Sequence, residues 1–303
     1  MDKDRALHAV MLSELPHVGP AAAARILETN HRRGHGLATF FRLPAIVLQE
    51  DYELPVQTME RLGRDRLDFE TRCRWLTDQL TAAGGVVFVL NDPDYPERIR
   101  TRLPHAPVVL FGLGAWRVLE APTLAVLNSR SVTERTVAAS LAVARAAVEQ
   151  GFTLAGGGMK ASHRITTVAA RAAAAPRAVA LDRGIFATFG ARTDRDPFGF
   201  GPGRAPLDRD RTLVLSPFRL MDHAVAHNGQ RRDEIIAALA DVIVAVEVRP
   251  GGIIERVCLQ ALDQGQTVLS WYGENAGLVA AGATPVTEAD LAGELHHYIT
   301  GAP

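Results

Sequence analysis

Gln230-Arg-Arg-Asp-Glu-Ile-Ile-Ala-Ala-Leu-Ala-Asp-Val-Ile-Val-Ala-Val-Glu-Val-Arg-Pro-Gly-Gly-Ile-Ile-Glu-Arg-Val257 decides the fold class of this chain. Its patterning predicts a helix over residues 230–240, a strand over 241–248, a tight turn at Pro250-Gly251-Gly252 and a second helix opening near Ile253. The strand is a nearly unbroken apolar run, as expected of a parallel strand covered on both faces. Pro250-Gly251-Gly252 lets the backbone turn sharply from strand into helix. Such a turn presents free backbone N–H groups and the positive end of a helix, a combination that suits a phosphate or another anion. A short connection made only for packing would read the same way.

Composition narrows the class. With 303 residues, 47% of them apolar and 22% charged, the chain has the makeup of a soluble globular protein with room for a large domain and a small one. No apolar run reaches the roughly 18 residues of a membrane span, and the charged start Met1-Asp-Lys-Asp-Arg is not followed by an apolar signal region. Cys73 and Cys258 are too few for a disulfide scaffold or a four-cysteine zinc site, so a cytoplasmic protein with reduced thiols is expected. A formal net charge of −1 gives no global bias toward nucleic acid, and any such contact must come from a local patch. Lys3 and Lys160 are the only lysines; the arginine preference fits genomic base composition as well as bidentate phosphate recognition.

Two regions are expected: an all-helical domain over residues 1–82 and an extended Rossmann-like domain over 83–303. In the first, Leu15-Pro-His-Val-Gly-Pro-Ala-Ala-Ala-Ala-Arg-Ile-Leu27 reads as a helix-hairpin-helix, with Pro20 at the first position of the second helix. In that arrangement the glycine brings backbone N–H groups to a DNA phosphate; an ordinary packing corner is the other reading. In the second, short apolar runs at 86–90, 108–111, 123–127, 152–155, 178–181, 212–215, 242–248 and 267–271 alternate with alanine-rich helical stretches. That alternation predicts a doubly wound parallel sheet. Residues 188–211, rich in Gly, Pro, Arg and Asp and without periodicity, read as a mobile surface loop or lid.

Three strand ends stand out: Val126-Leu-Asn-Ser-Arg130, Ala155-Gly-Gly-Gly-Met-Lys160 and the Pro250-Gly251-Gly252 turn. On adjacent strands they would converge on one crevice, where Ser129, Arg130, Lys160 and the backbone donors of Gly156, Gly157, Gly158, Gly251 and Gly252 could face an anion. None matches the dinucleotide fingerprint Gly-x-Gly-x-x-Gly, and no Walker lysine followed by Ser or Thr is present, so bound NAD and ATP hydrolysis are disfavoured. His223 and His227 lack an acidic partner for a metal, Ser216 lacks a nucleophile elbow, and His296-His297 reads as a solvated helix end.

The chain also resembles a known family. Asp92-Pro-Asp-Tyr-Pro-Glu-Arg-Ile-Arg100, Ala106-Pro-Val-Val-Leu-Phe-Gly112, Val126-Leu-Asn-Ser-Arg130, Ala155-Gly-Gly-Gly158 and Arg231-Arg-Asp-Glu-Ile-Ile-Ala237 are similar, in that order, to the landmarks of DNA-processing protein A. The resemblance implies a non-catalytic, ATP-independent protein without cofactor or metal. Such a protein binds single-stranded DNA in a basic pocket, forms a homodimer and helps load a RecA-type recombinase during recombination or natural transformation. On this reading Arg130, Lys160, Arg231 and Arg232 contact phosphates, and no membrane is involved.

Departures from the family pattern accompany it. The serine and aspartate of "S-G-x-A-x-G-I-D" are lost at Ala155-Gly-Gly-Gly-Met-Lys-Ala-Ser162, and the glycine of "G-S-R" is Asn128. In "R-N-R-I-I-A" the asparagine has become Asp233 and an arginine Glu234, a carboxylate expected to weaken DNA binding by charge alone. The few residues after Pro285 are too few for the family's winged helix. Two alternatives remain open at this point. The same superfamily includes proteins that bind nucleotides through "P-G-G-x-G-T-x-x-E", which Pro250-Gly-Gly-Ile-Ile-Glu255 matches in part, making a nucleotide-derived ligand sensor with Glu255 as an acid–base candidate. A degenerate scaffold that binds a partner protein is the other.

Overall fold

The computed structural model describes residues 2–129, 132–158, 160–199 and 205–300. The N-terminal part is helical: α1 (Lys3–Glu14), α2 (Pro20–Arg33), α3 (Leu37–Phe40), α4 (Ala45–Glu50), α5 (Val56–Gly63) and α6 (Arg66–Ala82). Strands and helices then alternate: β1 (Gly85–Val89), α7 (Glu97–Arg102), β2 (Val109–Gly114), β3 (Thr123–Leu127), α8 (Glu134–Glu149), β4 (Thr153–Gly157), α9 (Ala161–Ala172) and β5 (Arg177–Ala180). They continue as α10 (Ile185–Phe189), β6 (Thr212–Ser216), α11 (Asn228–Leu239), β7 (Val242–Ala245), α12 (Ile253–Asp263), β8 (Thr267–Trp271), α13 (Ala276–Ala280), β9 (Thr284–Val286) and α14 (Glu288–Thr300). None of these helices is long and apolar enough to cross a membrane.

The strands form one sheet in the order β1-β2-β6-β5-β4-β3-β7-β8-β9. Every pair from β6 to β9 is parallel, whereas β1 and β2 add an antiparallel edge that the sequence patterning does not separate from the rest. The strand order reverses between β3 and β7: the chain builds outward from β3 through β4, β5 and β6, then returns to lay β7 on the other side of β3. In an open α/β sheet that reversal is where the two connecting layers part and leave a crevice.

Alternation along the strands divides the core. Ile243 and Ala245 of β7 pack with Ile235, Ile236 and Leu239 of α11 and with Val257 and Cys258 of α12 on one face. Val242 and Val244 pack with Val143, Ala144 and Ala147 of α8 and with Leu291 and Leu295 of α14 on the other. Alanines at 139, 144 and 147 let α8 approach the sheet closely, and a capping box between Thr133 and Thr136 starts it. The N-terminal helices do not keep a core of their own. Val10, Leu12, Phe69, Leu76 and Leu80 join one buried cluster with Val87, Val89, Val109, Phe111 and Leu113 of the antiparallel edge.

Two local expectations need correction or refinement. At the α1–α2 corner Pro20 does occupy the first helical turn, but Gly19 is extended (φ −86°, ψ 179°) and His17 takes the left-handed conformation (φ 57°). The described residues of 188–211 are not a free loop. Asp196 is buried against Arg177 (2.5 Å), Phe198 is fully buried, and Arg195 and Pro206 form a β-bridge. A buried ion pair and a buried ring tie down a segment whose composition alone reads as surface. Both thiols are buried, and burial pushes Cys73 and Cys258 up to about 12, so they stay protonated.

Candidate functional site

The carboxyl ends of β4, β3 and β7 are neighbours in the sheet and open onto one crevice of about 550 Å³. Its wall includes Asn128 and Ser129 after β3, Lys160 to His163 after β4, Ala226, Gly229, Gln230 and Asp233 on the approach to and within α11, and Arg249 and Gly252 to Ile254 after β7. The predicted convergence of three strand ends is therefore what the topology produces. Each of these strands runs into a helix, so the amino ends of α8, α9 and α12, the positive ends of their dipoles, gather along this edge.

Backbone clips hold the edge. The Ser129 N–H donates to the Glu247 carbonyl (2.7 Å), and the Ser129 hydroxyl accepts from the Arg249 N–H (2.6 Å). Asn275 joins β7 to β8, accepting from the Val248 N–H (2.8 Å) and donating to the Ala245 carbonyl (3.0 Å). Exposed Lys160 and Arg249 stand on either side, and the Arg249 guanidinium makes no ion pair with a described residue. Arg130 lies outside the described residues.

The floor is an ionic network. Arg232, 1% exposed, donates to Asp182 (3.0 Å) and, through Nε and Nη2, to one oxygen of Asp233 (2.9 and 2.6 Å). The same oxygen meets His163 Nε2 at 3.1 Å, and Asn228 donates to the Asp182 carbonyl (2.9 Å). Burial holds His163 below the usual imidazole range despite the hydrogen bond to Asp233, so the ring is neutral at pH 7. Burial would raise the Asp233 carboxyl, but the His163 hydrogen bond and the Arg232 charge outweigh it and hold the group below the ordinary range.

The predicted site residues separate accordingly. Ser129, Lys160 and Gly252 line the crevice, and Gly251 sits beside it with its N–H given to Glu255 (2.6 Å). Arg232 does not face solvent: its guanidinium neutralises two buried carboxylates, so it supports the floor in place of a phosphate. Arg231 points away, hydrogen-bonded to Glu234 (3.0 Å) and to the His105 carbonyl. Glu234 is likewise not part of the crevice wall, although it accepts a hydrogen bond from Gln230, which is (2.9 Å). Gly156, Gly157 and Gly158 are buried, and packing explains the last two. A Cβ at Gly157 would lie 2.8 Å from Arg232 Cδ, and one at Gly158 2.4 Å from the Phe198 ring.

Sequence reasoning missed Asn128, His163 and Arg249 as site residues. Arg249 was open to detection as the basic residue ending the decisive strand; His163 carried no local signal, since its partner Asp233 lies far along the chain.

A mostly parallel sheet clothed in helices on both faces, with a cation-flanked crevice where strand order reverses, defines an extended Rossmann-type α/β protein. The chain belongs to the DNA recombination-mediator protein A family, whose sequence profile matches residues 86–294. The fold is similar to that of DNA processing protein A from Streptococcus pneumoniae, at 16% identity and a TM-score of 0.67, covering 95% of this chain and 97% of that one. It is also similar to DNA processing protein A from Helicobacter pylori, a structure described for its single-stranded DNA binding mode. There identity is 14% and the TM-score 0.56, covering 72% of this chain and 97% of that one. No individually curated protein matches the sequence.

Proposed function

We propose that this protein binds single-stranded DNA along the carboxyl edge of its sheet and acts in recombination. The observation that carries the reading is the crevice itself: Lys160 and Arg249 flank three gathered helix amino ends, in a chain of the recombination-mediator family. Lys160 and Arg249 neutralise phosphates, and Arg130 is assigned the same role from the sequence. Ser129 and the Gly252 end of α12 place the strand. The description of the Helicobacter pylori relative supports the choice of single strands. Loading of a RecA-type recombinase and a homodimeric state belong to the same proposal and rest on family likeness alone.

A nucleotide-processing role for Glu255 has no such support, because Glu255 is not part of the crevice wall and one of its carboxylate oxygens accepts from the Gly251 N–H. The test is fluorescence anisotropy with a labelled oligonucleotide over a salt series. Affinity should fall with salt, and Lys160→Ala with Arg249→Ala should weaken binding and flatten the log–log slope by about 0.7 per cation removed. Binding that ignores salt, or a double variant indistinguishable from the parent, would sink the proposal.

A further inference from the structure

Part of the crevice wall has nothing to offer a phosphate. Val132, Ala161, Ala226, Ile253 and Ile254 line it, and none of their side chains can form a hydrogen bond. They come from four separate points of the chain: Val132 lies just ahead of α8, Ala161 opens α9, Ala226 lies just ahead of α11, and Ile253 and Ile254 open α12. Val132 is 41% exposed and belongs to none of the buried clusters. Ala161 and Ala226 are exposed as well, and Ile253 is half-buried. One exposed aliphatic side chain on a protein surface needs no account, whereas several brought from different elements into one concave wall mark a place for a ligand.

The charged part of the wall says what kind of ligand. A Cβ on Gly229 would lie 3.1 Å from Lys160 Nζ, and Gly229 is itself crevice wall, so the ammonium stands at the crevice and does not reach away from it. Arg249 adds a second cation to the same wall. A molecule that satisfies both parts is anionic at one end and presents a flat, weakly polar surface at the other, which describes a nucleotide. No aromatic ring lines the crevice among the described residues, so that surface meets aliphatic side chains.

We infer that the aliphatic part of the crevice takes the face of one unpaired nucleobase, with its phosphate toward Lys160 and Arg249, and that this wall favours single strands over duplex. The inference rests on the single-stranded DNA reading above and adds to it the contact that recognises an unpaired base. In a duplex the base faces are stacked on one another, so the aliphatic wall gains nothing from it; a base in a single strand is free to turn outward. Every base has such a face, so the contact is indifferent to sequence.

The experiment compares an oligonucleotide with one of equal length in which every base is replaced by an abasic tetrahydrofuran residue, by fluorescence anisotropy over a salt series. The phosphates are the same, so both should lose affinity with salt at the same slope, while the base-bearing strand binds about tenfold more tightly throughout. Val132→Ser, at an exposed position, should lower the affinity of the base-bearing strand toward the abasic value and leave the abasic strand and a duplex of the same sequence unchanged. A loss shared equally by all three overturns the assignment. Equal binding of the base-bearing and abasic strands to the parent, with an ordinary salt dependence, overturns the base contact and leaves the DNA reading in place. Retention of neither strand overturns both. Displacement of the labelled strand by deoxynucleoside monophosphates as readily as by the unlabelled strand assigns the crevice to a free nucleotide and overturns the inference as well.

Discussion

Removing the Arg232 guanidinium would leave two largely buried carboxylates with weaker partners, Asp182 with Arg183 (3.0 Å) and Asp233 with the neutral His163 (3.1 Å). Breaking a buried pair in this way is costly because an uncompensated charge remains. Arg232→Met, close in volume, is expected to lower stability by about 3–5 kcal/mol, seen as a lower urea midpoint at unchanged slope. Adding Asp182→Asn and Asp233→Asn should recover part of the loss. His163 gives a pH signature. Its folded pKa lies below the unfolded value of about 6.5, so the unfolded chain takes up the proton first as pH falls. The stability it contributes is complete above about pH 6.5 and is lost as pH drops toward the folded pKa; Asp233, also depressed, adds a loss of the same sign at lower pH. Thermal unfolding between pH 7.5 and 5 should therefore show a falling midpoint, and His163→Gln should flatten the first part of that fall. Neither role was legible beforehand. Arg232 looks like any arginine at a helix start, and only the fold shows that it sits under Gly157.

The glycine run at the end of β4 shows what a strand-to-helix connection does and does not disclose in sequence. That Gly156-Gly157-Gly158 precedes a helix was readable from the glycines and the periodicity that follows. Why glycine is required was not, because the Phe198 ring that Gly158 makes room for comes from a distant segment with no period of its own. Gly158→Ala must push that ring aside, and overpacking of this kind costs about 1–3 kcal/mol. Phe198→Ala should cost about 3–5 kcal/mol by leaving a cavity. The informative measurement is the pair: chemical denaturation of Gly158→Ala with Phe198→Leu should give a loss smaller than the sum of the separate losses. Strict additivity would show that the close approach is not the reason for the glycine. The strands themselves were easier to read, since a parallel strand buried on both faces is apolar along its whole length. The antiparallel edge of β1 and β2 was not, since direction leaves no trace in an apolar run.

At the scale of the molecule, the change from helices to strands near residue 83 is visible in composition, but the core does not divide there. Val87, Val109 and Phe111 of the sheet edge are covered by α1 and its neighbours. A chain beginning at residue 83 should therefore expose this row, bind a hydrophobic dye and aggregate. The full chain should unfold in a single calorimetric transition, and two well-separated transitions would argue for independent units. What periodicity cannot supply is which apolar face meets which, and that is why the shared core had to be seen. Arg219, in the connection between β6 and α11, reaches back to the α1 end: its guanidinium donates to the Ser13 and Leu15 carbonyls, each at 2.7 Å. The next residue, Leu220, is buried in the core cluster that the N-terminal helices share with the sheet, while a few positions later Ala226 and Gly229 form crevice wall. A ligand that fits only when this connection is in place must also hold α1 in place. By reciprocity, whatever loosens α1 from the sheet lowers affinity at the crevice by the same factor.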